Sequence, residues 1–238
     1  MNKKNFLERI KGQLIVSCQA LPNEPLHGSD YMAKMAQAAK VGGAACIRAN
    51  GVEDIKAIKQ VTQLPIVGLI KQDYKNSPVY ITPTKTEIQL LIDAGADVIA
   101  LDATTQDRPN HESLEELIRY IRINSQCLIM GDISTFDEGI AAVEAGVDLV
   151  STTLSSYTPY TKDRVIPDLP LIEELAKATT TPIIAEGNIK TPAEAARAIE
   201  LGAHAVVVGT AITRPQIVTK QFCDEIKKTT DRLLQSKQ

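Results

Sequence analysis

The chain has 238 residues, 44% of them hydrophobic and 23% charged, with a formal net charge of -3 at neutral pH. That composition excludes a disordered chain, and the small negative charge excludes a global basic field for nucleic acid or an anionic membrane. Tryptophan is absent and aromatic residues make up only 4%, which counts against base stacking as a binding mode.

No uncharged apolar run approaches the roughly 18 residues needed to span a bilayer. The segment Met1 to Lys11 is polar and carries Glu8, unlike a secretory signal. Cys18, Cys46, Cys127 and Cys223 stand alone with no C-x-x-C pair. Reduced thiols in a cytoplasmic protein are therefore expected, not a zinc framework or a disulfide scaffold.

Short apolar runs alternate with helical patterns from end to end. A strand at Gln13–Cys18 precedes a helix at Ser29–Lys40, and Ala44–Arg48 precedes Val52–Val61. Pro65–Ile70 is followed by Thr84–Ala94, Asp97–Leu101 by Ser113–Asn124, and Cys127–Gly131 by Thr135–Ala145. Asp148–Ser151 leads to Asp168–Ala178, Pro182–Ala185 to Thr191–Leu201, and His204–Val208 to Pro215–Leu234. The strand runs show little alternation, as strands buried on both faces do. Ser29, Ser113, Thr135 and Thr191 are cap signals for their helices.

Glycine punctuates the repeat. Gly43, Gly95, Gly146 and Gly202 each close a helix and open a strand, at intervals close to two βα units. Glycine suits a helix end because it takes the left-handed conformation without penalty. Eight units of about 30 residues fill the chain, so a single (β/α)8 TIM barrel over residues 1–238 is expected. An open doubly wound sheet is the other arrangement with this alternation. No G-x-G-x-x-G follows the first strand, so a dinucleotide site is not supported.

A barrel places its chemistry at the C-terminal ends of its strands. There the apolar runs lead into Gln19, Arg48, Lys71, Asp102, Asp132 and Glu186. Gln19, Lys71, Asp132 and Glu186 follow strands one, three, five and seven, which can contribute to one layer at the mouth. Lys71 and Glu186 lie four strands apart, on opposite walls. Two proton-transfer groups facing each other across one carbon suit an epimerisation or isomerisation. Burial and a nearby cation such as Arg48 would lower Lys71 toward the working pH, and a poorly solvated Glu186 would rise toward it. Direct pairing of the two would push each the other way.

Gly187 after strand seven and Gly209 with Arg214 after strand eight fit the usual barrel phosphate site. The glycines admit close backbone approach and Arg214 can clamp an anion. The three histidines, His27, His111 and His204, form no metal constellation. Tyr74 and Tyr80 sit in a longer loop after strand three that has the placement of a lid. The run of hydroxyls from Ser151 to Ser156 can hydrogen-bond a sugar or simply form a polar loop.

Ser17-Cys18-Gln19-Ala20, Ile47-Arg48-Ala49-Asn50-Gly51, Val67-Gly68-Leu69-Ile70-Lys71 and Leu101-Asp102-Ala103-Thr104 resemble segments of the bacterial N-acetylmannosamine-6-phosphate 2-epimerases. So do Met130 to Thr135, Ile184 to Ile189 and Val207 to Pro215, in order along almost the whole chain. The resemblance implies C2 epimerisation of N-acetylmannosamine 6-phosphate to N-acetylglucosamine 6-phosphate in sialic acid catabolism. It implies a cytoplasmic, homodimeric enzyme needing no cofactor and no metal. Lys71 would be the base and Glu186 the acid. Gln19, Arg48 and Asp132 would contact the sugar, and Gly187, Gly209 and Arg214 the phosphate. A Schiff-base aldolase or lyase with Lys71 as nucleophile is the alternative on the same barrel. A catalytically silent sugar-phosphate binder is a third.

Overall fold

The computed structural model describes residues 2–236. Eight parallel strands close on themselves in sequence order: β1 (Leu14–Cys18), β2 (Cys46–Asn50), β3 (Ile66–Leu69), β4 (Val98–Asp102), β5 (Leu128–Asp132), β6 (Leu149–Ser151), β7 (Ile183–Ala185) and β8 (Ala205–Val208). β1 closes the barrel on β8 through the pairs Leu14 with Val206 and Val16 with Val208. The helices are α1 (Lys3–Ile10), α2 (Ser29–Val41), α3 (Val52–Thr62), α4 (Lys85–Ala94), α5 (Leu114–Asn124), α6 (Phe136–Ala145), α7 (Leu169–Ala178), α8 (Pro192–Glu200), α9 (Thr210–Thr213) and α10 (Pro215–Gln235). The TIM barrel is thus as the sequence leads one to expect, and the open sheet is excluded by closure.

Most strands begin one or two residues later than their apolar runs, because the leading residues do other work. Asp97 and Asp148 turn their carboxylates back to accept from the backbone N–H of Ile66 and Ile129, at 3.0 and 2.9 Å. Pro65 and Pro182 have no N–H to place in a ladder. At the other end β2 runs on to Asn50. Thr84, Ser113, Thr135 and Thr191 each form a reciprocal capping box with the glutamate three residues on, whereas Ser29 is not a cap: it is the first residue of α2, preceded by Gly28 at the cap position with no side-chain hydrogen bond. Gly95 and Gly146 cap α4 and α6 with φ of 80° and 97°.

Two buried clusters follow from the strand period of two. Residues such as Val16, Ile47, Ile99 and Val206 face outward against the helices. The alternate set, including Ile15, Cys46, Val67, Val98, Leu128 and Ile184, fills the barrel interior. The interior cluster also contains Phe6 and Ile10 of α1, both fully buried. The amino-terminal segment therefore forms a plug under the barrel, which its polar composition concealed. His204 belongs to the same end, its Nε2 lying 2.9 Å from the Leu7 carbonyl oxygen. Among the described residues, no helix is long and apolar enough to cross a membrane.

The long loop after β3 is fastened rather than hanging free. Lys71 bridges to Ile81, Gln72 N–H donates to Tyr80 O at 2.9 Å, and Thr82 N–H donates to Ile70 O at 2.7 Å. Ile81 joins the interior cluster and Tyr80 packs against it. The segment thus roofs one side of the mouth, bonded back to the end of β3.

Replacing Phe6 by Ala should destabilise the fold by about 3–5 kcal/mol, as for other buried aromatics cut to alanine. Urea unfolding at constant protein concentration reads this directly; a loss below about 1 kcal/mol would show that α1 is not an integral plug.

Candidate active site

The alternation that fills the interior with apolar side chains carries on into the mouth. Two residues past Cys46 stands Arg48; past Leu69, Lys71; past Ala100, Asp102; past Met130, Asp132; and past Ile184, Glu186. Each strand thus changes from apolar to ionisable along one inward-facing line.

Arg48 is the hub. Its side chain is 1% exposed, and its guanidinium meets two carboxylates at once. Nη2 donates to Asp132 Oδ2 at 2.5 Å and Nη1 to Asp132 Oδ1 at 3.1 Å, while Nη1 lies 3.0 Å from Glu186 Oε2. Asp132 is fully buried and the Glu186 side chain is 15% exposed. Thr153 joins both acids, its Oγ1 lying 2.8 Å from Asp132 Oδ1 and 3.1 Å from Glu186 Oε2.

One guanidinium cannot neutralise two carboxylates. Burial and the neighbouring Asp132 push Glu186 above the ordinary glutamate range, against the pull of Arg48. Lys71 moves the other way. Burial lowers it first, then the positive charges of Arg48 and Arg214, with Glu186 and Asp132 opposing. Among the described residues Lys71 forms no ion pair, so it is not locked to Glu186. Its backbone N–H donates to Asn50 Oδ1 at 2.8 Å, so the end of β2 holds the lysine in place. Asn50 was visible only as part of a motif, because its role depends on the β2–β3 register.

The other expected residues are placed as follows. Gln19 is buried beyond β1, donates from Nε2 to Ser17 Oγ at 2.9 Å, and leaves Oε1 without a partner among the described residues. Among the described residues no hydrogen bond joins it to the arginine cluster. Gly187 has φ of 118°, and a Cβ there would lie 3.4 Å from Thr152 O. A Cβ on Gly209 would lie 3.2 Å from Ser17 Cβ. Arg214, between α9 and α10, pairs with Glu24 of the loop after β1 at 3.1 Å. No local sequence pattern marks this partner, since 190 residues separate the two.

Asp102 is buried at the end of β4 and pushed up to about 6, chiefly by burial. Thr104 answers its Oδ1 with both N–H and hydroxyl, at 2.8 and 2.7 Å. Thr105 instead donates its N–H to Glu138, at 3.1 Å. Glu138 also accepts from Ser134 N–H at 2.8 Å and from the Tyr160 hydroxyl, tying together the loops after β4, β5 and β6. Among the described residues, no group of His, Cys, Asp or Glu is placed to hold a metal ion.

Fold and mouth together define the class: a (β/α)8-barrel enzyme with its ionisable groups at the C-terminal strand ends. A family model described as "Putative N-acetylmannosamine-6-phosphate epimerase" matches residues 32–228. A relative from Clostridioides difficile, named "Putative N-acetylmannosamine-6-phosphate 2-epimerase", is 56% identical over 93% of this chain and 99% of its own. The solved N-acetylmannosamine-6-phosphate 2-epimerase of Clostridium perfringens superposes with a TM-score of 0.89 at 54% identity, covering 92% of this chain and 95% of that one. A thiamine phosphate pyrophosphorylase from Pyrococcus furiosus, at 18% identity and TM-score 0.61, shares the fold alone. The chain belongs to the N-acetylmannosamine-6-phosphate 2-epimerase family, a family of isomerases.

Replacing Arg48 by Met leaves two buried carboxylates without their cation, which should cost about 3–5 kcal/mol of stability at neutral pH. Urea unfolding across a pH series checks it. The deficit should shrink as pH falls, because protonation of the abandoned acids removes the unpaired charge.

Proposed function

We propose that this enzyme interconverts N-acetylmannosamine 6-phosphate and N-acetylglucosamine 6-phosphate by moving a proton at C2, with Lys71 as base and Glu186 as acid on the opposite face. The observation that carries this reading is the pair itself. Lys71 follows β3 and Glu186 follows β7, four strands apart in a closed barrel of eight. Lys71 is lowered and Glu186 raised, so each moves toward the pH at which it can exchange a proton.

In the open-chain sugar, C2 lies beside the C1 aldehyde, which acidifies its proton. Lys71 removes that proton, leaving an enolate with negative charge on the C1 oxygen. The fixed positive field of Arg48 favours charge at that point. Glu186 then returns a proton to the other face of C2. The carbonyl does the acidifying, so the reaction calls for neither a metal nor a nicotinamide. Asp132, held by Arg48, and Gln19, with its free amide oxygen, are the sugar contacts in this reading.

The phosphate is assigned to the adjoining loops after β7 and β8, at Gly187, Gly209 and Arg214. An arriving dianion would take over Arg214 from Glu24. Binding energy gained there, away from C2, helps position the reacting carbon. The reaction belongs to amino-sugar and sialic acid catabolism, with a cytoplasmic enzyme. Free cysteines at Cys18, Cys46, Cys127 and Cys223 are compatible with that setting.

We also infer a homodimer. α10 is 21 residues long and buries none of them. Phe222, Ile226 and Leu233 are more than half exposed at helical spacing along it. A second copy of the chain is the occupant that would cover this stripe.

Lys71→Ala and Glu186→Gln should each lose turnover by at least about 100-fold, the usual weight of a proton-transfer group. Proton NMR in deuterium oxide should show C2–H exchange with the parent enzyme and little or none with Lys71→Ala; parental turnover in both variants would overturn the assignment. Epimerisation in either direction needs one of the pair protonated and the other not, so kcat/KM should be bell-shaped in pH. Its acid limb should lie above the ordinary glutamate value of 4.5 and its alkaline limb below the lysine value of 10.5. Light scattering after gel filtration should report a dimer for the parent and a monomer for Phe222→Asp with Ile226→Asp.

A further inference from the structure

Thr153 stands two residues beyond Ser151, the last residue of β6, and its hydroxyl lies between the two acids that share Arg48. Oγ1 is 2.8 Å from Asp132 Oδ1, 3.1 Å from Glu186 Oε2 and 2.8 Å from Ser151 Oγ. A threonine hydroxyl has one proton to give and lone pairs to receive. It can donate to only one carboxylate at a time. Ser151 Oγ, 3.5 Å from Glu186 Oε2, is too long to substitute for it.

We propose that Thr153 is a positioning residue for Glu186, its hydroxyl donating to Glu186 when that acid is ionised and turning to Asp132 when Glu186 is protonated. In the first state the hydroxyl supports the charge on Oε2. In the second, Glu186 donates its own proton to the Thr153 lone pair while Thr153 donates to Asp132 Oδ1. No proton leaves the cluster as the hydroxyl turns; the only proton that moves between molecules is the one Glu186 exchanges with C2 of the sugar. Both forms of Glu186 are thereby held in one orientation. The proposal rests on the reading of Glu186 as a proton-transfer group.

The charged groups facing Glu186 are Arg48 from β2, Asp132 from β5 and Lys71 from beyond β3, with Arg214 acting on Lys71. A change at Thr153 alters none of these charges. A hydrogen bond to an ionised carboxylate lowers its pKa, so removing this donor should raise that of Glu186.

The test is Thr153→Val, close to isosteric, with Thr153→Ser as the rescue. The acid limb of kcat/KM should move up by about one pH unit, the equivalent of a tenfold change in the ionisation equilibrium. kcat should fall about tenfold, below the usual effect of removing a proton-transfer group outright, with KM changed less than about twofold. Thr153→Ser should restore both limb and kcat. An acid limb that superimposes on the parent's, or one that serine fails to restore, overturns the proposal. Thr153→Ala provides the same comparison if valine crowds Asp132 and the variant does not fold. Glu186→Gln separates the two ideas: parental turnover there overturns the role of Glu186 itself. Lost turnover there with an unmoved limb in Thr153→Val overturns only the role of Thr153.

Discussion

A single buried guanidinium serves two carboxylates, and the character of the mouth depends on that imbalance. Arg48 binds Asp132 through both terminal nitrogens and still lies 3.0 Å from Glu186. An isolated ion of any of the three types would be too costly to bury. Together they are tolerated, but with both acids ionised they carry one negative charge too many. Glu186, the more exposed acid, takes up the mismatch by holding its proton more tightly. The same positive charge acts across the mouth on Lys71 and eases the loss of its proton. Burial moves the two groups in opposite directions, raising the acid and lowering the amine, while the positive charge of Arg48 pulls both down.

The barrel keeps this arrangement apart from what holds it together. The lower interior is apolar and sealed by Phe6 and Ile10 of α1. The upper ends of the same inward-facing lines carry the ionisable groups. Between strands, short-range devices fix the loops: Asn50 holds the Lys71 backbone, Thr104 holds Asp102, and Glu138 gathers three loops. The segment after β3 is bonded back onto its own strand and fills the interior with Ile81. Polar groups poised in this way need little reorganisation when charge develops on a substrate.

Much of this is legible in the amino-acid sequence itself. Strand runs, capping residues and the glycines at Gly95 and Gly146 act through neighbours a few positions away, and such local causes leave a pattern in the chain. The charged residues at strand ends were legible for a related reason: a side chain two places beyond a buried one on the same strand faces the same way. What went unread acts across distance. α1 has only Phe6 and Ile10 buried, too few to show a period in eight residues. The partner of Arg214 lies in a loop almost a chain length away. Thr153 was one hydroxyl among several, and only its position between two acids distinguishes it.

Sequence alone therefore determined the alternation of strand and helix, the count of eight units and the set of ionisable residues that follow the strands. These follow from periodicity and local backbone chemistry, while closure of the sheet was settled by the β1–β8 pairing. Tertiary structure decided which of those residues meet. It joined Arg48 to both Asp132 and Glu186, left Lys71 without an ion pair among the described residues, and left α10 with no buried residue. The physical reason is that the charge state of an acid or amine depends on burial and on neighbours within a few ångströms, and only the closed barrel brings residues from β2, β5 and β7 that close.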